Sequence, residues 1–203
     1  MANPTGSFGL KPVRHLNGAP WNGTTVECYV SSSYATALFI GDPVLLSPTL
    51  AEKDATGFRP TINVSAGTAG TIIRGVITGF APDPDNLSRT YNPASTERIA
   101  YVCMDADVVY QVRGDGGAAI TSVVPGQNAV LIATSAGSTA TGLSGYDMDE
   151  GTTTAPNTTQ NFTLHVTNIA QAEDNALGIN AVYEVLLNTV ENATGRFLGV
   201  TAA

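Results

Sequence analysis

Short runs of β-branched and aromatic residues recur along this chain, and each is cut off within a few residues by glycine, proline, asparagine or aspartate. No other feature limits the possible folds as tightly. A helix needs an apolar stripe that persists over several turns, and this punctuation denies it one. In Val26-Glu27-Cys28-Tyr29-Val30 the apolar set alternates with Glu27 and Tyr29, which places it on one face of a strand. Further strands are predicted at 37–40, 43–47, 61–64, 71–80, 99–104, 108–113, 129–133, 162–167 and 183–190. Gly41-Asp42, Gly114-Asp115-Gly116-Gly117 and Pro125-Gly126 supply turns between them. About ten short strands at this spacing predict an all-β fold, either a single antiparallel β-barrel or a jelly-roll-like sandwich. Helix is expected only over 50–54 and 169–177. The interior is expected to hold Val26, Val30, Ile72, Val76, Ile99, Tyr101, Val108, Tyr110, Phe162 and Leu164.

Composition agrees. The chain has 26 threonines and 21 glycines but two lysines, and 13% of its residues are charged. Exposed helix faces are built from Lys, Glu and Ala, whereas threonine suits a pleated surface, so a helical bundle is excluded. Low charge and recurrent Val, Ile and aromatic residues exclude disorder. At 203 residues, one domain with a single core is expected.

Residues 1–23 stand apart. They hold Lys11, Arg14 and His15, no acid, and prolines at 4, 12 and 20, which predicts an extended N-terminal arm. The net charge of −8 divides into +2 for this arm and −10 for the β body over 24–203. Within the body, fourteen of the 26 residues over 135–160 are Gly, Ser or Thr. So long a loop is unusual in a compact domain, and it is expected either to touch a neighbour or to be flexible.

Several function classes fall away. An acidic chain lacks the clustered Lys and Arg that neutralise phosphates, so no nucleic-acid partner is expected. No run approaches the roughly 18 apolar residues of a membrane helix, and no membrane partner is expected. Met1-Ala2-Asn3-Pro4-Thr5-Gly6 has neither a basic start nor an apolar stretch, so no secretory signal is read there. Cys28 and Cys103 are too few for a disulfide framework, and cytoplasmic synthesis with reduced thiols is expected. The Asn-x-Ser/Thr sequons, beginning at Asn22, Asn63, Asn86, Asn157, Asn161 and Asn192, then follow from an Asn- and Thr-rich composition.

Chemical motifs are weak. Arg113-Gly114-Asp115 matches an adhesion tripeptide but sits where a strand must turn. Gly114-x-Gly116-x-x-Ala119 begins a dinucleotide fingerprint, yet Pro125-Gly126 follows where the helix should run. His15 and His165 lack a nucleophile elbow, and His165 is expected to face solvent or an interface. Cys28, Cys103, His15 and His165 show no paired metal-ligand spacing, so no metal or other cofactor is expected. Cys28 shares the apolar face of Val26 and Val30 and reads as a small core residue. Asp83-Pro84-Asp85-Asn86 and Asp147-Met148-Asp149-Glu150 are expected as solvated acidic loops, lacking the spacing of a calcium loop. A paired-carboxylate hydrolase stays open, because that pairing is spatial. No catalytic residue is assigned.

Three stretches carry a resemblance. The first is Phe8-Gly9-Leu10-Lys11-Pro12-Val13-Arg14-His15-Leu16-Asn17-Gly18-Ala19-Pro20-Trp21-Asn22-Gly23. The second is Gly70-Thr71-Ile72-Ile73-Arg74-Gly75-Val76-Ile77-Thr78-Gly79-Phe80. The third runs from Tyr91 through Ala94-Ser95-Thr96-x-Arg98-Ile99-Ala100-Tyr101-Val102 to Asp107-Val108-Val109-Tyr110-Gln111-Val112. They resemble the cement or decoration proteins of tailed-bacteriophage heads; nothing after Ala118 adds to the likeness. The resemblance implies a non-enzymatic virion structural protein, assembled in the host cytoplasm, that binds the capsid exterior and clamps neighbouring major capsid protein subunits. A tail or receptor-binding virion component is the alternative, and a β-sandwich hydrolase the second. A homo-oligomer, dimer or trimer, is expected on a symmetric lattice. Phe8, Leu10, Lys11, Val13, Arg14 and Trp21 of the arm are the expected capsid contacts.

Overall fold

The computed structural model of the chain describes residues 3, 5–47, 52–54, 57–117, 125–151, 154–191, 193–194 and 197. Strands supply all the regular secondary structure among them. None of the described residues forms a helix, so no helix is long and apolar enough to cross a membrane. In chain order the strands are β1 (Lys11–His15), β2 (Val26–Val30), β3 (Pro43–Leu46), β4 (Glu52–Asp54), β5 (Gly57–Arg59), β6 (Ile62–Val64), β7 (Gly75–Phe80) and β8 (Arg98–Cys103). There follow β9 (Val108–Arg113), β10 (Asn128–Ala129), β11 (Leu131–Ala133), β12 (Tyr146–Met148), β13 (Leu164–Ile169), β14 (Val182–Leu187), β15 (Thr189–Val190) and β16 (Ala193–Thr194). Two five-stranded sheets dominate, with orders β1-β9-β14-β13-β10 and β2-β8-β7-β3-β6. All strand pairings within them are antiparallel.

The larger core lies where the two sheets meet. Val108, Tyr110 and Val112 of β9, Leu164 and Val166 of β13, and Val185 and Leu187 of β14 pack with Val76 of β7 and Cys103 of β8. A smaller core lines the other face of the second sheet, from Cys28, Val30, Val44, Ile62, Ile77, Ala100 and Val102, with Leu38 packed among them. Register explains how β7 serves both. Val76 pairs with Cys103 and Ile77 with Val102, so successive side chains enter opposite cores. The second sheet curls until its edges meet at one parallel bridge, Tyr29 with Thr61. Neither sheet closes into a barrel. The all-β, antiparallel expectation therefore holds, and the barrel form is corrected to open packed sheets.

Other expectations change with the structure. The opening segment is no free arm: Lys11 pairs with Gln111 and His15 with Val108, making β1 the edge of the first sheet. No helix forms over 169–177. There the Asn175 side chain donates to the carbonyls of Ala170 and Val182 and accepts the Val182 N–H, all at 2.8 Å, and so staples an irregular turn. In the other predicted helix, over 50–54, residues 50 and 51 lie outside the described residues, and 52–54 form β4. The 135–160 segment is not one long loop, because it contains β12, which pairs with β11 just before it. Of the expected interior, Val30, Val76, Val108, Tyr110, Phe162 and Leu164 are buried, but Val26 and Ile72 are exposed. Ile99 and Tyr101 are only half-buried, whereas Ala100 and Val102 face inward. The inward face of β8 lies one residue out of phase with that expectation. Arg98 is the reason: it is buried on the inward face, donating to the carbonyls of Ala81 (2.7 Å), Tyr91 (2.7 Å) and Arg89 (3.3 Å).

Candidate functional site

A groove of about 550 Å³ opens beside β1. One wall is the opening segment, with Phe8, Leu10, Lys11, Pro12 and Trp21. Ile40 and Leu143, Ile77 and Thr78 of β7, Gln111 of β9, and Ala170, Ala172, Asp174, Asn175 and Val182 complete the lining. The lining is mainly apolar, with a few polar groups at intervals, as ligand and docking sites commonly are.

The backbone builds this groove through close crossings. Leu10 N–H donates to the Gly41 carbonyl at 2.9 Å. A Cβ on Gly9 would lie 2.5 Å from that oxygen, and φ is +71° there, so only glycine lets the opening segment cross here. Gly41 has φ +95° and meets the same limit from the Phe8 carbonyl. Ile40 donates to the Gly142 carbonyl and accepts from Ser144 N–H, both at 2.9 Å, which docks the 135–146 stretch onto this part of the lining. Beneath it lies Asp42, 3% exposed, whose carboxylate accepts the Phe39 N–H at 2.7 Å and a bond from the Ser144 hydroxyl. Burial pushes its pKa up to about 6.

A second anchor holds the segment upstream. Arg113 Nε and Nη2 donate to the two Asp147 oxygens at 3.1 and 2.6 Å, and neither side chain reaches solvent appreciably. Ser7 Oγ donates to Asp147 at 2.7 Å, and Arg113 Nη1 donates to the Thr5 carbonyl. The ion pair thus ties residues 5–7 to β9 and β12.

The six expected contact residues therefore divide. Phe8, Leu10, Lys11 and Trp21 converge on the groove. Leu10 is 1% exposed and belongs to the protein's own core, so it shapes the wall rather than reaching outward. Trp21 packs against that core while facing the groove. Arg14 pairs with Glu184 of β14 at 2.7 Å, and Val13, half-buried, does not line the groove. Sequence reasoning missed Ile40, Ile77, Leu143, Asn175 and Val182. They come from segments far apart in the chain, and no local pattern marks them.

The other chemical candidates are accounted for structurally. Arg113 of the adhesion tripeptide is buried in its ion pair with Asp147. The acidic run near 147–150 is not solvated, a second correction. Asp149 accepts the Gly151 and Thr154 N–H groups at 2.8 and 2.6 Å. Glu150, 2% exposed, accepts Gly116 N–H and Tyr183 O–H, both at 3.0 Å. Burial holds the Glu150 carboxyl above its usual range. Asp83, expected in a solvated loop, is buried and paired with Arg89 at 2.7 Å. His165, expected to face solvent or an interface, is half-buried and stacks on Phe197. The Asn128 amide nitrogen donates to Thr159 and Phe197 carbonyls, so its oxygen faces His165 and Nδ1 must carry the proton in that 2.8 Å bond. Cys28 and Cys103 are buried, and burial pushes the Cys28 thiol up to about 12. Among the described residues no three His, Cys, Asp or Glu side chains are grouped to hold a metal. Asp174 is the one carboxylate lining the groove. No family model, curated protein or solved structure matches the chain.

Proposed function

We propose that this chain is a non-enzymatic virion structural protein, a cement or decoration subunit on the outer surface of a tailed-phage head, with its two sheets arranged as a jelly-roll-like sandwich. One observation carries the reading. The opening stretch that resembles such proteins is the stretch that builds the groove, through Phe8, Leu10, Lys11 and Trp21. An apolar groove with a lysine at its rim suits an anchoring side chain from a neighbouring protein, with little demand for chemistry at the site. On a symmetric shell many copies act together, so each contact can be modest and the clamp still hold. The partners are the major capsid protein and sibling copies on the lattice, and no cofactor is needed.

The test is to add purified protein to heads that lack it and to locate it by electron microscopy. Density on the capsid exterior, bridging capsid subunits, is expected. Density confined to the tail, or no binding to heads at all, would overturn the reading.

A further inference from the structure

The link between the two sheets carries a chemically reactive pair. β1 belongs to the first sheet and β2 to the second, and the chain passes from one to the other through a turn over 16–20 and the exposed residues Asn22, Gly23 and Thr24. Asn-Gly occurs twice in the sequence, at 17–18 and at 22–23. In such a pair no side chain shields the glycine nitrogen, which is free to approach the asparagine Cγ. Both pairs are exposed, and both glycines have positive φ, +89° at Gly18 and +83° at Gly23. Each asparagine also accepts the N–H two residues on, Asn17 from Ala19 at 3.0 Å and Asn22 from Thr24 at 3.3 Å, which identifies the accepting atom as Oδ1.

Two further contacts set the pairs apart. Gly18 N–H donates to the His15 carbonyl at 2.9 Å, within a turn that His15 N–H closes onto the Ala19 carbonyl at 2.7 Å. Gly23 N–H meets no acceptor among the described residues. In addition, the Thr24 hydroxyl donates to Asn22 Oδ1 at 2.5 Å, and Asn17 Oδ1 receives no hydroxyl among the described residues.

We infer that Asn22 is a site of self-modification, where the Gly23 nitrogen attacks the side-chain amide, and that Asn17 is protected from the same reaction. Gly23 N–H gives its proton to hydroxide, and the nitrogen bonds to Asn22 Cγ. Negative charge then develops on Oδ1, where the Thr24 hydroxyl and N–H already point. The Cγ–Nδ2 bond breaks, and ammonia leaves with a proton taken from water. Water opens the resulting succinimide at either carbonyl, leaving aspartate or isoaspartate at position 22. At Asn17 the nucleophile is held by the His15 carbonyl, and the oxyanion has one donor instead of two. A Cβ at Gly23 would meet nothing within 4 Å, so the surroundings leave room for the ring. The product lowers the +2 charge of residues 1–23 by one. Its isoaspartyl form adds a methylene to the main chain directly after Trp21 of the groove.

The reaction is independent of the capsid reading and is tested on the full-length protein alone. Kept folded at mildly alkaline pH and mapped by peptide mass spectrometry, it is expected to exchange NH2 for OH at residue 22 about tenfold or more faster than at residue 17. The rate should rise with pH as the Gly23 amide ionises. Thr24→Val should slow the reaction about tenfold and Thr24→Ser should preserve it, with the circular dichroism spectrum unchanged in both. In the urea-unfolded chain, where these hydrogen bonds are lost, the two sites should react at similar rates. An unmodified Asn22, equal rates at the two sites in the folded protein, Thr24→Val as fast as wild type, or a preference for Asn22 that persists in urea would each overturn the inference.

Discussion

Asp42 shows how a single buried acid can couple the groove wall to pH. Its carboxyl, facing Ser144 and near the Tyr146 hydroxyl, has a folded pKa of about 6 against an ordinary 3.8. Between about pH 4 and 6 the folded chain therefore binds a proton that the unfolded chain lacks. The corresponding stability is fully present below about pH 4 and is lost as pH rises through about 6. At neutral pH the ionised group costs about 1–3 kcal/mol. Asp42→Asn keeps an acceptor for Phe39 N–H and removes the charge. Its melting temperature, plotted against pH, should lack the decline between pH 4 and 6 expected of wild type, and should match or exceed wild type at pH 7. An unchanged slope in the variant would refute the assignment. The Arg113–Asp147 pair is buried with its charges paired. Asp147→Asn strands a buried guanidinium, and denaturant unfolding at pH 7 should show about 3–5 kcal/mol lost.

At the scale of elements, β1 decides how the opening segment should be understood. The proline spacing and positive charge of residues 1–23 read as an extended arm, but Lys11–His15 pair with β9 and residues 16–21 turn back onto Val13–His15. Leu10 enters the larger core, and Thr5 and Ser7 satisfy Arg113. Removing residues 1–23 is therefore expected to destroy cooperative melting. Leu10→Ala alone should cost about 2–5 kcal/mol by denaturant titration, through lost burial and an unfilled cavity. A truncated chain that melts as sharply as wild type would return the segment to the status of an arm. Much of the rest was legible. β9 occupies 108–113 as the alternation of valines with Tyr110 predicts, and β2 starts and ends where its apolar set does. What failed to show was tertiary in origin. The phase of β8 turns on Arg98 reaching three distant carbonyls, and the irregular turn near 175 on Asn175 reaching Ala170 and Val182. The groove draws on segments from Phe8 to Val182, and only its first wall lay within one readable stretch.

At the scale of the whole molecule, the two cores raise the question of whether one sheet can open without the other. Val76 and Cys103 belong to the second sheet yet pack into the larger core, so separating the sheets would expose apolar surface on both. The smaller core shares β7 and β8 with it, through Ile77 and Val102. Two strands common to both cores leave no plane along which the structure divides cheaply, and a single transition is expected. The cysteines report on this directly, since Cys28 lies in the smaller core and Cys103 in the larger. Both are fully buried, and burial raises both thiols, Cys28 to about 12, so neither should react in the native state at pH 8. In Cys28→Ala and Cys103→Ala variants, each retaining one thiol, labelling across a urea series should give one midpoint, coincident with loss of the β circular dichroism signal. Should Cys28 become reactive at markedly lower urea than Cys103, the second sheet would be a separately opening unit. The groove, whose lining takes Ile77 and Thr78 from β7 and Gln111 from β9, would then be held between two parts that can move relative to each other.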